Sequence, residues 1–517
     1  MTPEQLKASI LQRAMEGKLV PQDPTDEPAS ELLKRIKAEK ENLIADGKIK
    51  RDKKETELFR GADGKPYEKL ADGTIQEVEV PYEIPESWNW VKLRNIGSIT
   101  SGGTPKSSEP SYYGGNITWI TPADMGKQQN NKFFAKSSKK ITELGLQKSS
   151  AQLISKNSIV YSSRAPIGHI NIVTEDYTTN QGCKSITPLL VDLIFLYWLL
   201  QFRTKDIILR SSGTTFKEIS ASGFGDTLLP LPPLAEQKRI VAQIEKALAK
   251  VDEYAESYNK LQQLDKEFPD KLKKSILQYA MQGKLVAQSP DDEPVEVLLE
   301  KIKAEKQKLY EEGKLKKKDL EELVVTKGDD NSPYGKIPKN WSFLTIKDIF
   351  SITTGLSYKK TDLAITKNGV RIIRGGNINP LSFKILDNDY YIDPKFITSE
   401  TVYLKRNQLL TPVSTSLEHI GKFARIDKDY PNTAAGGFVF QLTPFVSSDV
   451  LSKYLLFSLS SPIFYEQLKS ITKLSGQALY NIPKTKLNEL LVPLAPETEQ
   501  KRISQRVEQL FEKVNQL

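Results

Sequence analysis

The sequence predicts a mixed α/β chain, two α/β modules separated by long, antiparallel, coiled-coil-like helices in a pseudo-twofold, circular arrangement. Three observations carry this expectation. Segment 6–50 recurs at 272–316 with 28 of 45 positions identical. Helical seams, with apolar residues in steps of four and three, follow each module. Between the helices the pattern changes to short β-branched runs punctuated by Gly, Pro and Asn.

Taken in order, region 1–83 opens with a short amphipathic helix, Leu6 to Val20, copied as Leu272 to Val286. Gly17 and Gly283 are its stop signals, and a charged helix around Ile36 or Ile302 follows each Pro/Asp-rich turn. Asp63-Gly64 and Asp72-Gly73 in the polar stretch 47–82 predict a small hairpin or turn pair. The first module spans 84–230, with strands expected at Ile117–Ile120, Ser158–Tyr161, Ile170–Val173 and Ser185–Thr187 and a closing helix near Leu193–Ile208. Region 231–336 is a central helical spacer and linker. The second module spans 337–493, with strands at Ile372–Ile373 and Phe438–Leu442 and a closing helix over Val450–Leu468; the last helix occupies 494–517.

The seams predict partners. Ile240, Ile244, Ala247, Val251, Tyr254, Tyr258 and Leu261 form one stripe, and Ile503, Val507, Leu510, Val514 and Leu517 the other. Pro269 is expected to break the central helix, so that Leu272–Ala280 turns back as the partner of the first stripe. Met1–Lys18 is then expected to serve the C-terminal stripe, which would close the circle.

Composition narrows the function. The 517 residues include 74 Lys and Arg against 65 Asp and Glu, a formal charge of +9, and 38% are hydrophobic, which suits a globular multidomain protein. One Cys and two His cannot build a disulfide scaffold or a tetrahedral Cys/His zinc site. No apolar run reads as a signal peptide or membrane span, so a cytoplasmic protein without membrane contact is expected. The charge is unevenly placed: the first module carries 16 Lys and Arg against 10 Asp and Glu, and the second 19 against 12. The remainder of the chain is slightly acidic. Two basic modules on a near-neutral scaffold suit a polyanion contacted twice.

Double-stranded DNA is the expected polyanion, since polar and aromatic residues of the kind that fit base edges interleave with Gly in both modules. The candidate contacts are Lys106, Tyr112, Gln128, Asn130, Lys132, Lys136, Lys139, Lys140 and Arg164 in the first, and Tyr358, Lys359, Lys360, Arg371, Arg374 and Asn377 in the second. Gln, Asn, Arg and Lys can match base edges, whereas Lys136, Lys139 and Lys140 suit phosphates. No Walker A loop, His-Glu-x-x-His, Gly-x-Ser-x-Gly or Asn/Asp-Pro-Pro-aromatic motif is present in the sequence. Pro269-Asp270-Lys271 resembles a nuclease Pro-Asp start, but Asp there suits a helix N-cap. No catalytic residue and no metal ligand is assigned. A DNA-processing enzyme with an unrecognised site, or a protein-binding coiled-coil scaffold, are the alternatives.

Pro230-Leu-Pro-Pro-Leu-Ala-Glu-Gln-Lys-Arg-Ile240 and its echo Pro493 to Ile503 stand before the two seams. Together with Val160–Gly168 and Asn180-Gln-Gly182, they give the chain a likeness to the specificity subunits of Type I restriction-modification systems. Thr411–Gly421, the second module's counterpart of Val160–Gly168, lacks the Arg. The resemblance implies two target-recognition domains, each reading half of a bipartite site, in a subunit that performs no chemistry. It further implies methyltransferase and restriction (translocase/nuclease) subunits as partners. S-adenosylmethionine, ATP and Mg2+ are expected on those partners, with no cofactor on this chain.

Overall fold

The computed structural model describes the chain except residues 53, 71, 165, 214–216, 321, 324, 327–331, 365–366, 398, 417–418 and 475–478, and the side chains of 318 and 415. Position 165 of the first core turn and 417–418 of the second therefore lie outside the described residues. The fold is mixed α/β and divides into two compact units, 1–261 and 262–517.

Unit 1 begins with helix α1 (Pro3–Met15), capped by Thr2, whose hydroxyl accepts from the Gln5 amide while Gln5 reaches back to the Thr2 amide. Helix α2 (Ala29–Ala45) follows. The Asp-Gly pairs turn as expected: Gly64 and Gly73 take φ of +82° and +89° between strands β1 (Glu57–Arg60), β2 (Pro66–Lys69) and β3 (Ile75–Glu77). The supposed linker is thus a three-stranded antiparallel sheet.

Strands β4 (Asn89–Lys92), β5 (Gly97–Ser101), β6 (Tyr113–Ile120), β7 (Lys139–Ile141), β8 (Ser158–Ser162), β9 (Ile170–Val173), β10 (Tyr177–Thr179), β11 (Cys183–Pro188) and β12 (Leu228–Leu231) build the first module. They pair as β5-β11-β8-β9, as β10-β6-β7 with β10 parallel to β6, and as β12-β4. Helix α3 (Leu193–Leu209) is apolar on nearly every side, because it is buried between the sheet and α1.

Unit 2 repeats this plan, with the helical repeat and the signature kept and the sequence of the module itself diverged. After helix α4 (Leu234–Met281), shared by the two units, come α5 (Val295–Glu311) and strands β13 (Ser342–Thr345), β14 (Phe350–Thr354), β15 (Val370–Ile373), β16 (Ile378–Asn379), β17 (Ser382–Phe383), β18 (Tyr390–Ile392), β19 (Tyr403–Leu404), β20 (Leu409–Pro412), β21 (Ser414–Thr415), β22 (Ala424–Arg425), β23 (Tyr430–Ala435), β24 (Val439–Pro444), β25 (Lys473–Leu474), β26 (Tyr480–Asn481) and β27 (Leu491–Leu494). Sheet β14-β24-β20-β22 answers β5-β11-β8-β9, the parallel pair β15-β23 answers β6-β10, and β13-β27 answers β4-β12. The expected closing helix is in fact two, α6 (Asp449–Leu459) and α7 (Pro462–Ile471). Ser461 caps the second through the Phe464 amide, and Pro462 at its first position cannot continue the preceding helix. Helix α8 (Glu497–Val514) ends the chain's regular structure.

Pro269 does not break the central helix; α4 runs through it for 48 residues. This reverses the expected pairing. In unit 1, Leu11, Ala14 and Met15 of α1 share a core with Ile240, Val241 and Ile244 of α4. In unit 2, Ile276, Leu277, Ala280 and Met281 at the other end of α4 share a core with Ile503, Val507 and Val514 of α8. Each copy of the repeated helix therefore packs with the seam of its own unit. Of the seam residues, Ile240, Ile244, Val251, Ile503 and Val507 are buried, Leu510 is half-buried, and Tyr254 and Leu261 are exposed. Among the described residues no helix is long and apolar enough to cross a membrane.

Pro269 leaves one α4 carbonyl without its intrahelical donor, an interior cost of ~3 kcal/mol that rigidity of the unfolded chain offsets by up to ~1 kcal/mol. Pro269→Ala is therefore expected to stabilise the full chain by about 2 kcal/mol in urea unfolding. A loss of stability would show that the interruption at this point is required by the packing.

Candidate nucleic-acid interface

In each module, loops gather at one end of the four-stranded antiparallel sheet. Register defines the end: Lys184 of β11 lies opposite Ser101 of β5, and Cys183 opposite Ser162 of β8. The segments after β5, after β8 and before β11 are thus neighbours. Gly102 is required there because a Cβ would come within 1.8 Å of the Asn180 carbonyl oxygen. Gly103 N donates to Thr179 O at 2.8 Å, and the Thr104 hydroxyl donates to the Gln181 side-chain oxygen Oε1. In the second module Gly355 stands in the same place, with a Cβ 2.3 Å from the Gly436 carbonyl oxygen, and Leu356 N donates to Ala435 O at 2.7 Å. Lys106 and Lys359 follow at equal spacing from these glycines, both exposed.

The first loop cluster carries charge. Lys184 is buried and donates to Ser163 Oγ at 3.2 Å and to Gln181 O at 3.1 Å, with Glu218 at 3.8 Å; burial pulls its ammonium below the usual lysine range. Arg164 is half exposed and 3.9 Å from Glu218. The second cluster is more aromatic. The Arg374 guanidinium lies 3.9 Å from the centre of the Tyr390 ring and donates to Asn388 O, while Arg371 lies over Tyr391 and donates to its hydroxyl at 2.6 Å. Tyr358 approaches Gly436, and Lys359 and Lys360 are exposed beside it.

Other expected residues are engaged within the protein. Gln128 donates to Asp124 O and Lys136 O and accepts from the amides of Ala135 and Lys136, so its side-chain amide organises its own loop. Lys132 pairs with Glu245 of α4 and lies over the Trp198 ring. Asn377 is buried, accepting from Arg374 N and donating to Asp389. Tyr112 is half-buried ahead of β6. Asn130, Lys136, Lys139 and Lys140 are exposed, the last two on β7.

The Glu-Gln-Lys-Arg signature has a different place, at the root of each seam helix. Glu236 accepts from Trp88 Nε1 at 2.8 Å and from Gln22 Nε2 at 2.5 Å, Gln237 holds Asp192 N and Pro232 O, and Arg239 forks onto Asp26. In unit 2, Glu499 accepts from Trp341 Nε1 and Gln288, Gln500 donates to Ala495 O, and Arg502 forks onto Asp292. One motif thus locks the turn after the repeated helix, the module's first tryptophan and the seam helix together.

The sequence profile of the Type I restriction modification DNA specificity domain matches residues 85–263 and 338–517. The chain belongs to this family. Each match covers one module and the helix that its signature anchors. Similar proteins include the Type I restriction enzyme EcoAI specificity subunit of Escherichia coli, 27% identical over 99% of this chain and 90% of the relative. The EcoEI specificity subunit from the same organism is 25% identical over the same shares. The MjaIX specificity subunit of Methanocaldococcus jannaschii is 34% identical over 31% of this chain and 37% of its own. The crystal structure of the HsdS subunit from Thermoanaerobacter tengcongensis covers 84% of this chain and 92% of its own, at 18% identity and a TM-score of 0.42.

The chain is a DNA specificity subunit with two specificity domains. Its signature residues are architectural, whereas the loop clusters of the two domains differ in charge and aromatic content. Sequence reasoning found Arg164, Lys106 and Tyr358 there but placed Phe438 in a strand. Gly437 and Phe438 are instead the turn between β23 and β24, and the Gly436-Gly437 doublet was the available turn signal.

Proposed function

We propose that each module reads one half of a bipartite DNA site, and that this subunit performs no chemistry of its own. Adenine methylation, with S-adenosylmethionine, belongs to partner methyltransferase subunits, and ATP- and Mg2+-dependent translocation and cleavage to a restriction subunit. The complex works in the cytoplasm, where the DNA is. The observation that carries this reading is the contrast between scaffold and reader. Two modules of one strand plan stand on helices with 28 of 45 positions identical, yet their loop clusters differ in charge and aromatic content. Equivalent mounts with different readers serve two different half-sites. Lys136, Lys139 and Lys140 are assigned to phosphate contact, which positions without specifying.

Exchanging residues 84–230 for the corresponding module of a relative tests the reading. Mapping of methylated sites in cells carrying the hybrid and its methyltransferase partner is expected to show one half-site changed and the other kept. Changes in both halves, or in neither, would overturn it.

A further inference from the structure

The two modules can be aligned residue by residue at the loop cluster from their hydrogen bonds. Ser163 N donates to Gly182 O at 2.8 Å, and Val413 N donates to Phe438 O at 2.8 Å. Ile219 N donates to Ser163 O at 3.0 Å, and Ile482 N to Val413 O at 3.0 Å. Arg164 then bridges Glu218, as Ser414 pairs with Asn481. Gly182 therefore corresponds to Phe438, Arg164 to Ser414, and Glu218 to Asn481.

At this one point the modules have exchanged chemistry. In the first, Gly182 leaves room for Arg164, whose Nε lies 3.2 Å from where a Gly182 Cβ would be. In the second, Ser414 removes the guanidinium and Phe438 occupies the turn, with 72% of its surface exposed. Neither feature is required by the fold, since each module does without the other's. An aromatic ring so exposed has no packing role, and the glycines that precede it in the turn, Gly437 and Gly436, face Ser357 and Tyr358, which lead into the exposed Lys359 and Lys360. A polyanion with apolar elements fits that setting. Duplex DNA offers both, phosphates outside and thymine methyl groups in the major groove.

We propose that Arg164 and Phe438 are equivalent base-contacting positions that set specificity, Arg164 through the two acceptors of a guanine edge and Phe438 through a thymine methyl group. The inference rests on the reading that each module serves one half-site and assigns the residue that discriminates in each. Arg suits guanine because its planar fork matches the O6 and N7 acceptors, which Lys cannot match as a pair.

The test is selection from randomised duplexes by the full chain complexed with its methyltransferase subunits, for wild type, Arg164→Lys, Arg164→Ser and Phe438→Ala. Both Arg164 variants should lose preference at a single G·C pair of the first half-site by roughly tenfold or more, leaving the second half-site untouched. Arg164→Lys should keep most of the overall affinity, which separates base reading from a phosphate contact. Phe438→Ala should relax a single A·T pair of the second half-site only. Unchanged base preference with uniformly weaker binding would overturn the inference, as would unchanged binding. Circular dichroism melting identifies a variant that fails to fold; loss of folding in Arg164→Lys or Phe438→Ala would also overturn it, because it would make these side chains structural. If the module exchange redirects a half-site while these profiles stay unchanged, only this residue assignment fails; if the exchange redirects nothing, the half-site reading itself fails.

Discussion

Replacing Glu236 by Ala is expected to cost unit 1 about 2–4 kcal/mol in chemical unfolding, the largest effect of any single signature residue. Trp88 is 1% exposed and its Nε1 has Glu236 as its acceptor, so truncation leaves a buried donor without a partner and opens space beside the ring. Gln22 can turn towards water; Trp88 cannot. Glu236→Gln should be much milder, within about 1 kcal/mol, because one carbonyl oxygen remains for the indole and a buried charge is removed. The carboxyl is held above its ordinary range, chiefly by burial and further by the nearby Asp26, against the pull of Trp88, Gln22 and Arg239. A carboxyl raised in the folded state contributes stability that is fully present below its unfolded value and lost as pH rises through the folded one. The wild-type advantage over Glu236→Gln should therefore grow on mild acidification. Glu499 in unit 2 behaves alike, but there Asp292 is held down to about 2 by Arg502, and its contribution is lost in the opposite sense, as pH falls below about 4. Equal losses from Glu236→Ala and Glu236→Gln would show that charge, not the acceptor for Trp88, secures this junction.

Much of this architecture was legible in the sequence because duplication made it so. The repeat at 6–50 and 272–316, the signature at Glu236 and Glu499, and the Asp-Gly turns at Gly64 and Gly73 all stand where a short local pattern meets one physical requirement. Pro269 predicts a break on local propensity, whereas the helix runs through it and its far end, Ile276 and Leu277, shares a core with Ile503 and Val507. That tertiary contact lies over 200 residues away in the sequence and leaves no local trace. The candidate interface was legible by composition and less so by residue. Gln128 and Asn377 have the side chains expected of base readers, but a polar side chain serves equally to satisfy a loop's own amides and carbonyls, and only coordinates separate the two uses. Arg164 and Phe438 became comparable only through the hydrogen bonds that align their turns, since the two modules share almost no sequence around them.

Gly17→Ala and Gly283→Ala are expected to destabilise their units by about 2–5 kcal/mol each, through two additive causes that the chain itself allows to be separated. Both glycines follow a repeated helix at φ +69°, where an L side chain costs ~1–2 kcal/mol. At Gly17 a Cβ would also lie 2.4 Å from Pro85 Cγ and 2.7 Å from its Cδ, and at Gly283 2.3 Å from Pro338 Cγ and 2.5 Å from its Cδ. Those prolines are three residues ahead of Trp88 and Trp341, so neither ring can retreat without disturbing the junction that Glu236 or Glu499 holds. Overpacking of this kind adds ~1–3 kcal/mol. Gly47 and Gly313 provide the control: they end α2 and α5 at φ +70° and +71°, with nothing within 4 Å of a Cβ. Gly47→Ala and Gly313→Ala should therefore show the backbone cost alone, and the excess in Gly17→Ala over Gly47→Ala measures the clash with Pro85. Urea unfolding of the four variants of the full chain decides the matter. If all four lose the same stability, the prolines yield freely and the helix-to-module junction is looser than these contacts require.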